Sequence, residues 1–264
     1  MVKTADLIRE LRTYSLSVCF IVLVLILWQF FTTFFKVPQY LLPSPTATIS
    51  ALATKWPAFS TELIYTLEEI GIGFVLGTVV AFALAVFIAS SPLLPKILYP
   101  VIVAVQVIPK IALAPVFLVW FGYGEVPITL ITALICFFPV LVNSIKGLVT
   151  LDQSIVDLMS SLSATRRQVF LKVQLPNCIP YLFASLKVAM TFAIIGAIVG
   201  EWIGGSSHGV GYLMLVYSSN FDTAPLFAGI LLITLVGIAL FAITALFEKL
   251  AAPWAESVEL TFST

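Results

Sequence analysis

Charged side chains are missing from long stretches of this chain, and that spacing constrains the fold more than any motif. Residues 13–35, TYSLSVCFIVLVLILWQFFTTFF, run uncharged between Arg12 and Lys36, and residues 70–95 run uncharged between Glu69 and Lys96. A charge at the centre of a membrane helix costs roughly 2.5–3.5 kcal/mol on insertion scales, and about 20 apolar residues cross the hydrocarbon. The pattern predicts an all-α membrane protein of about six transmembrane helices, at 13–35, 70–95, 97–122, 126–145, 181–203 and 224–247. The third is interrupted by Pro100, Pro109, Lys110 and Pro115, and the fifth is closed by Glu201. Composition agrees: 61% of 264 residues are hydrophobic and 10% charged. A soluble domain is about 45–50% apolar, so this excess exceeds what one soluble core can hide. The first apolar run is too long for a signal-peptide core and no small-x-small site follows it, so a retained anchor is expected. No linker or low-complexity tract divides the chain, and residues 1–264 read as a single transmembrane domain.

Lysine and arginine orient the spans. With six crossings both termini share a face. That face carries Lys3, Arg9, Arg12, Lys96, Lys146, Arg166, Arg167, Lys172 and Lys249, with Lys187 at the foot of the fifth span; the other carries Lys36 and Lys55. The first face is therefore expected in the cytoplasm, and Glu62, Glu125 and Asp222 outside. A net charge of zero gives no basic face for nucleic acid. Cys19, Cys136 and Cys178 are scattered, without metal or disulfide spacing. There is no GxxxxGK[ST], so the chain does not itself cradle ATP phosphates. The lone histidine, His208, sits in GGSSHGVGY, where solvation or a local hydrogen bond is the ordinary fate of such a residue. Glu68 and Glu69 point about 100° apart on a helix, which excludes a dyad made of that adjacent pair. The Gly-rich GIGFVLG opens a membrane helix rather than following a strand, so its small residues are expected to permit close helix packing. No catalytic residue, metal site or cofactor is predicted.

The longest piece between spans on the basic face is 147–180. Within it LDQSIVDLMSSLSATRRQVFLKVQLPNCIP reads as helix, break, helix. Ile155, Leu158, Met159 and Leu162 recur at helical spacing, with Asp152 and Asp157 on the polar side. Ser163-Ala164-Thr165 is the break, and Thr165 with Gln168 is a capping-box pattern that starts the second helix. Pro176 is expected to stop that helix. Two uses fit such a loop equally: docking on another protein, or clamping to anionic headgroups through Arg166, Arg167 and Lys172.

The segment resembles the EAA loop of binding-protein-dependent ABC importer permeases. The family's pattern is EAA, three residues, Gly, nine residues, then I-x-L-P. Here the slots are Asp157-Leu158-Met159, Ser163, and Val173-Gln174-Leu175-Pro176, at the same spacing. DLM replaces EAA, and Ser163 stands where glycine is usual. Serine serves that turn if its φ is negative. LLPSP (41–45), TLEEIGIGF (66–74), VIPKIALAPVFLVWFGYGE (107–125) and GEWIGGSSHGVGYL (200–213) are similar to segments of the nitrate, sulfonate, taurine and pyrimidine-precursor branch.

The resemblance implies a type I ABC importer permease fold with a cytoplasmic coupling loop, in a bacterial plasma membrane. It implies two ATP-binding partner subunits, a second permease copy, identical or paralogous, and an extracytoplasmic substrate-binding protein. The ATPase-coupling residues would be Asp157, Ser163, Ala164, Thr165, Arg166, Arg167 and Pro176. For the translocation path the candidates are Lys110, Pro109, Pro115 and Glu201. Lys110 either faces the path or snorkels to the headgroups or pairs with a carboxylate. Glu201 is either a gate or binding-protein contact, or an interfacial anchor. Trp120, Phe121, Tyr123 and Trp202 read as aromatic-belt residues. The substrate leans, by resemblance, to a pyrimidine- or flavin-type ring compound, with nitrate, sulfonate or taurine as the alternative. A membrane-embedded enzyme would need an acid–base or metal constellation. A self-sufficient carrier would show carboxylates deep in a span, where Lys110 is the one charge the sequence places.

Overall fold

With no water in the hydrocarbon to bind backbone amides, a chain this apolar has to close its hydrogen bonds within helices. The computed structural model describes residues 2–204 and 206–253, with side chains from Ser15 onward, and all regular structure among them is helical. The side chains of Lys3, Arg9 and Arg12, and the residue Gly205, lie outside the described residues. In chain order the helices are α1 (Val2–Phe34), α2 (Pro45–Thr54), α3 (Trp56–Ala89), α4 (Leu94–Val105), a 3-10 turn (Lys110–Leu113), α5 (Ala114–Phe121), α6 (Glu125–Val149), α7 (Gln153–Ser161), α8 (Arg166–Val169), a π turn (Phe170–Gln174), α9 (Leu175–Ile203), α10 (Val210–Ser219) and α11 (Thr223–Ala251).

Five of these segments are long and apolar enough to cross a membrane: Ser15–Phe34, Trp56–Ala89, Glu125–Val149, Arg166–Ile203 and Thr223–Ala251. The stretch 97–122 is not one rod. It is α4 and the 3-10/α5 segment, bent by 79° at a short break. α4 ends at Val105, and Pro109, extended with φ −68° and ψ 99°, is the N-cap of the second arm.

One compact unit comprises Glu62–Tyr212 and the chain from Ile233 on. Its centre is α6, with Ile128, Ile131, Thr132, Cys136, Val140 and Leu148 fully buried. Small residues on both flanks bring the neighbouring backbones onto it. On α3, a Cβ at Gly73 would meet Thr132 Cβ at 2.6 Å, and one at Gly77 would collide with the Ala133 carbonyl oxygen. On α9, a Cβ at Gly196 would lie 2.9 Å from Thr132 Cα, and one at Gly200 2.7 Å from Ile128 Cγ2. Both are small-xxx-small ridges, the device that replaces hydrophobic driving force where lipid is as apolar as leucine. Along the same helices Ile70, Ala81, Ala85, Leu141, Ala189 and Ala193 close one core. An ion pair of 2.6 Å between Lys187 and Glu248 ties α9 to α11. The sequence placed Lys187 at the foot of its span without seeing this partner.

The other unit comprises Met1–Thr61 and Leu213–Leu232. Ser44 caps α2 by accepting from Ala47 N at 3.2 Å, with Pro45 at the first helical position, as its sequence predicts. Gln29 Oε1 of α1 accepts from both the amide and the hydroxyl of Thr46 at 3.2 Å. Trp28 packs on Phe227 with centroids 5.9 Å apart, and Phe59 on Tyr217 at 6.0 Å. From Ser15 to Leu27 α1 is exposed on every side, Phe20 and Ile26 included, and so apolar a surface is suited to lipid.

The expected stop before Pro176 does not occur. The helix continues from Arg166 to Ile203 because the turn ahead of Pro176 is a π turn: the amide of Leu175 bonds to Phe170 O rather than one residue later. The widened turn removes the clash that a proline ring makes with the carbonyl four residues back.

Gly77→Leu overpacks the α3–α6 contact and should cost about 1–3 kcal/mol or more, read as a lower midpoint of thermal unfolding in detergent. A Cβ at Gly71 would meet nothing within 4 Å, so Gly71→Leu should leave the midpoint unchanged.

Candidate functional site

Among the described residues, the sequence-predicted site residues fall in three places: the 150–177 loop, the junction of α3, α9 and the turn before α10, and the bend between α4 and α5.

The loop is built as its sequence requires. Asp152 caps α7, accepting from Ser154 Oγ at 2.7 Å and Ser154 N at 2.9 Å. These two bonds hold the Asp152 carboxyl below the ordinary aspartate range. Asp157 accepts from Gln153 Nε2 at 2.9 Å, one turn back on the same helix. α7 ends at Ser161, and the amides of Ser163 and Ala164 close the turn onto Ser160 O and Met159 O at 3.0 Å each. Thr165 then opens α8 with a complete capping box: the Thr165 amide donates to Gln168 Oε1 at 2.8 Å and the Gln168 amide to Thr165 Oγ1 at 3.3 Å. Ser163 has φ +51°, so the negative φ under which serine would serve the turn is not the one adopted. A left-handed non-glycine residue costs roughly 1–2 kcal/mol, which explains glycine as the usual occupant of this slot. Arg166 and Arg167 follow the cap. They are exposed and line a groove of about 720 Å³ with Val86, Ser90 and Phe170. Pro176 stands in the first turn of α9, beyond the π turn. The apolar residues of α7 turn away from the chain: Ile155, Leu158 and Leu162 are 41%, 57% and 68% exposed.

At the junction, Glu201 is buried at 1% exposure, not displayed at a boundary. Its carboxylate accepts from Thr66 Oγ1 at 2.6 Å, from the Tyr212 amide at 3.1 Å and from the Gly211 amide. Thr66 Oγ1 in turn accepts from the Val210 amide at 2.8 Å, and Glu62 Oε2 from the Gly209 amide at 2.7 Å. Trp202 Nε1 donates to Gly211 O at 2.9 Å. Carboxylates at the first amides of α10 satisfy orphan donors and oppose the positive end of its dipole. Gly209 has φ +104°, and any Cβ there would strike the Glu201 carboxyl. Glycine is therefore required twice over, by its backbone and by the space the carboxylate occupies. Tyr65 stacks on His208 with centroids 4.5 Å apart, and His208 Nδ1 lies 3.5 Å from Glu62 Oε2. Glu69 is buried beside Glu201. Lys110 is thus not the one charge placed deep among the helices. Glu62, Thr66 and Glu69 were legible as one face, since their i, i+4, i+7 spacing aligns them on a helix.

At the bend, Lys110 Nζ donates to Gln106 O and lies 4.9 Å from the centre of the Phe138 ring. Pro109 and Lys110 line a cavity of about 490 Å³ together with Gln106, Ile135, Pro139 and Phe192. Pro115 lies in the first turn of α5 and does not line it, and Glu201 belongs to the other junction. Among the described residues no group of three His, Cys, Asp or Glu could hold a metal.

These features sit in a sequence that matches, over residues 73–252, the family described as binding-protein-dependent transport system inner membrane component. The chain belongs to that family. It is 34% identical over 236 residues to the formylaminopyrimidine transport permease ThiX of Halalkalibacterium halodurans, covering 89% of this chain and 94% of the relative. It is 31% identical over 242 residues to the riboflavin transport system permease RibX of Chloroflexus aurantiacus, covering 90% and 89%. To the taurine permease TauC of Escherichia coli the identity is 24%, covering 94% and 92%. Among solved structures, the inward-facing MetNI methionine ABC transporter shares the fold, with TM-score 0.63 and 15% identity over 73% of this chain and 95% of that one. The permease is a multi-span ABC importer subunit of the type I fold, a transport component rather than an enzyme. Membership implies an ATPase subunit and a substrate-binding protein as partners.

Glu201→Gln replaces one acceptor oxygen by a donor and removes the charge facing the Gly211 and Tyr212 amides. Hydrogen bonds to charge contribute about 1.5–3 kcal/mol. Amide exchange in 206–217, read by mass spectrometry, should therefore rise roughly ten- to hundredfold. Unchanged protection would contradict the clamp.

Proposed function

We propose that residues 152–176 are the coupling element of this permease and dock into a groove on a cytoplasmic ATPase. The observation that carries the reading is the exposed apolar face of α7 on a loop whose turns are otherwise fully capped. Ile155, Leu158 and Leu162 are left largely exposed by the described residues, while Asp152, Thr165 and Gln168 hold the loop in one shape. A rigid element with an uncovered apolar face is suited to a protein partner. Arg166, Arg167, Ser163 and Ala164 flank that face at the turn, and Asp157 and Pro176 complete the coupling set.

In this reading residues 1–264 form one transmembrane domain with both termini in the cytoplasm, as the lysine and arginine asymmetry supports. Two ATPase copies and a second permease chain, identical or paralogous, complete the membrane complex, and the binding protein delivers substrate outside. ATP-driven closure of the ATPases displaces the loops and rocks the helices. The translocation path runs past Lys110 and Pro109, with the Glu201 junction shaping its outer end and Pro115 placed in the first turn of α5 beyond the bend.

The proposed substrate is a pyrimidine- or flavin-type ring compound. Identity to the formylaminopyrimidine and riboflavin permeases exceeds that to the taurine permease. The cavity at the bend adds a physical reason. Its walls are mostly proline, isoleucine, valine and phenylalanine, with Lys110 as the one cation and the Gln106 amide as the other polar side chain. Nitrate or a sulfonate would need several donors to replace its water, whereas a flat ring with carbonyl acceptors stacks on such walls and takes one hydrogen bond from Lys110.

Gln168→Pro breaks the capping box and the first turn of α8. The chain should still insert in the membrane, while substrate-stimulated ATP turnover of the assembled transporter falls to its basal rate; retained stimulation would defeat the coupling role. Lys110→Met should lower uptake of radiolabelled riboflavin or formylaminopyrimidine by cells carrying the whole transporter about tenfold, the weight of one charge-assisted hydrogen bond. Uptake equal to the parent's would remove Lys110 from the path.

A further inference from the structure

The two ends of the 150–177 loop meet at one side chain. Asn177 Nδ2 donates to Gly147 O at 2.8 Å and to Thr150 O at 2.9 Å. Gly147 lies in the last turn of α6 and Thr150 is its C-cap, where carbonyls have no partner further along the helix. Thr150 leaves that helix in an extended conformation, with φ −81° and ψ 95°, and its amide still bonds to Lys146 O at 2.9 Å. The helices are also in backbone contact here. A Cβ at Gly147 would lie 3.0 Å from Cys178 Cα and 2.9 Å from Tyr181 Cβ. Cys178 Sγ lies 3.5 Å from Ser144 O. Immediately before this joint stands the π turn, Phe170–Gln174, followed by Pro176, which lacks an amide proton. From Arg166 to Asn177 is about 16 Å of helix. The helix is interrupted in its regular bonding within that length and stitched to its neighbour just after it.

A push on the loop reaches the membrane helices through two strands of chain: Leu151 into α6, and α8 with the π turn into α9. A widened turn is where a loaded helix bends. Unless something beyond it joins the two helices, the loop would tilt by bending there and leave α6 behind. We propose that Asn177 is a positioning residue whose side-chain amide closes the loop on itself, so that displacement of the loop carries α6 and α9 as one body. This inference rests on the coupling role proposed for the loop.

The test uses the permease assembled with its ATPase in lipid nanodiscs, in a Cys19→Ser background that leaves only buried cysteines. Spin labels are placed at Ser161→Cys on the loop and Val126→Cys at the far end of α6. With Asn177 present, the distance between them should be narrow and equal in ADP and in ATP with vanadate. In Asn177→Leu, and in Asn177→Asp, which keeps the shape but loses both donors, the distribution should widen about twofold and shift with nucleotide, as expected when a local closure is released. Variants with the parent's narrow, nucleotide-independent distance would overturn the proposal. So would a lowered melting temperature with that distance intact, the result of a merely structural role. The line shape of the Ser161 label alone separates the two claims: immobilisation on adding the ATPase supports docking. A label that stays mobile in both nucleotide states defeats the coupling role itself, and the inference with it.

Discussion

The close approach of three backbones around Thr132 is what the rest of the structure depends on. Gly73 and Gly77 of α3 meet α6 on one side, and Gly196 and Gly200 of α9 meet it on the other. In lipid, burying leucine gains little over leaving it against acyl chains, so helix association draws on packing density and hydrogen bonds. With side chains at these glycines, α3 and α9 would stand off from α6 by an ångström or more, and two further features would be lost. Glu62 and Thr66 on α3 could not reach the turn that Glu201 on α9 also holds. Asn177 on α9 could not reach the last carbonyls of α6. The polar contacts at the two ends of this unit are thus consequences of the packing at its middle.

The clamp at one end and the loop at the other divide the polar groups by task. At the Glu201 end, carboxylates are turned inward and occupied by backbone amides, so they fix a turn instead of meeting solvent. At the loop end, polar groups are spent on caps while apolar side chains face outward. The first arrangement makes a rigid corner; the second makes a rigid surface that lacks its cover. For a component of a binding-protein-dependent importer, these properties suit a corner that must hold helices together and, on the coupling role proposed for the loop, a surface that takes force from a neighbour.

Much of this was legible in the sequence. Charge spacing gave the helical membrane class, because the cost of a buried charge is large and local to each span. The capping box at Thr165–Gln168 and the Ser44-Pro45 start were legible because caps depend on residues only a few positions apart. Packing through GIGFVLG was expected from its small residues, and the structure supplies the partners, Thr132 and Ala133. Less could be read where the outcome depends on partners distant in sequence. Glu201 read as a boundary residue because nothing local shows that Thr66, more than a hundred positions earlier, faces it. Lys187 gave no sign of Glu248 for the same reason. Pro176 misled in another way: a proline ordinarily ends a helix, but one extra residue in the preceding turn makes room for it, and no short motif announces a π turn. The 79° bend at Pro109 was signalled by its prolines as an interruption, though not by size.

The central claim is that α3, α6 and α9 form one packed body that moves as a unit when the partner ATPase closes. Electron cryomicroscopy of the assembled transporter in nucleotide-free and ATP-trapped states tests it most directly, with both maps superposed on α6. The account predicts that Gly73, Gly77, Gly196 and Gly200 keep their contacts with Thr132, Ala133 and Ile128 in both states while the whole group rotates against the rest of the complex. Sliding of α9 or α3 along α6 by a helical turn between the states would contradict it.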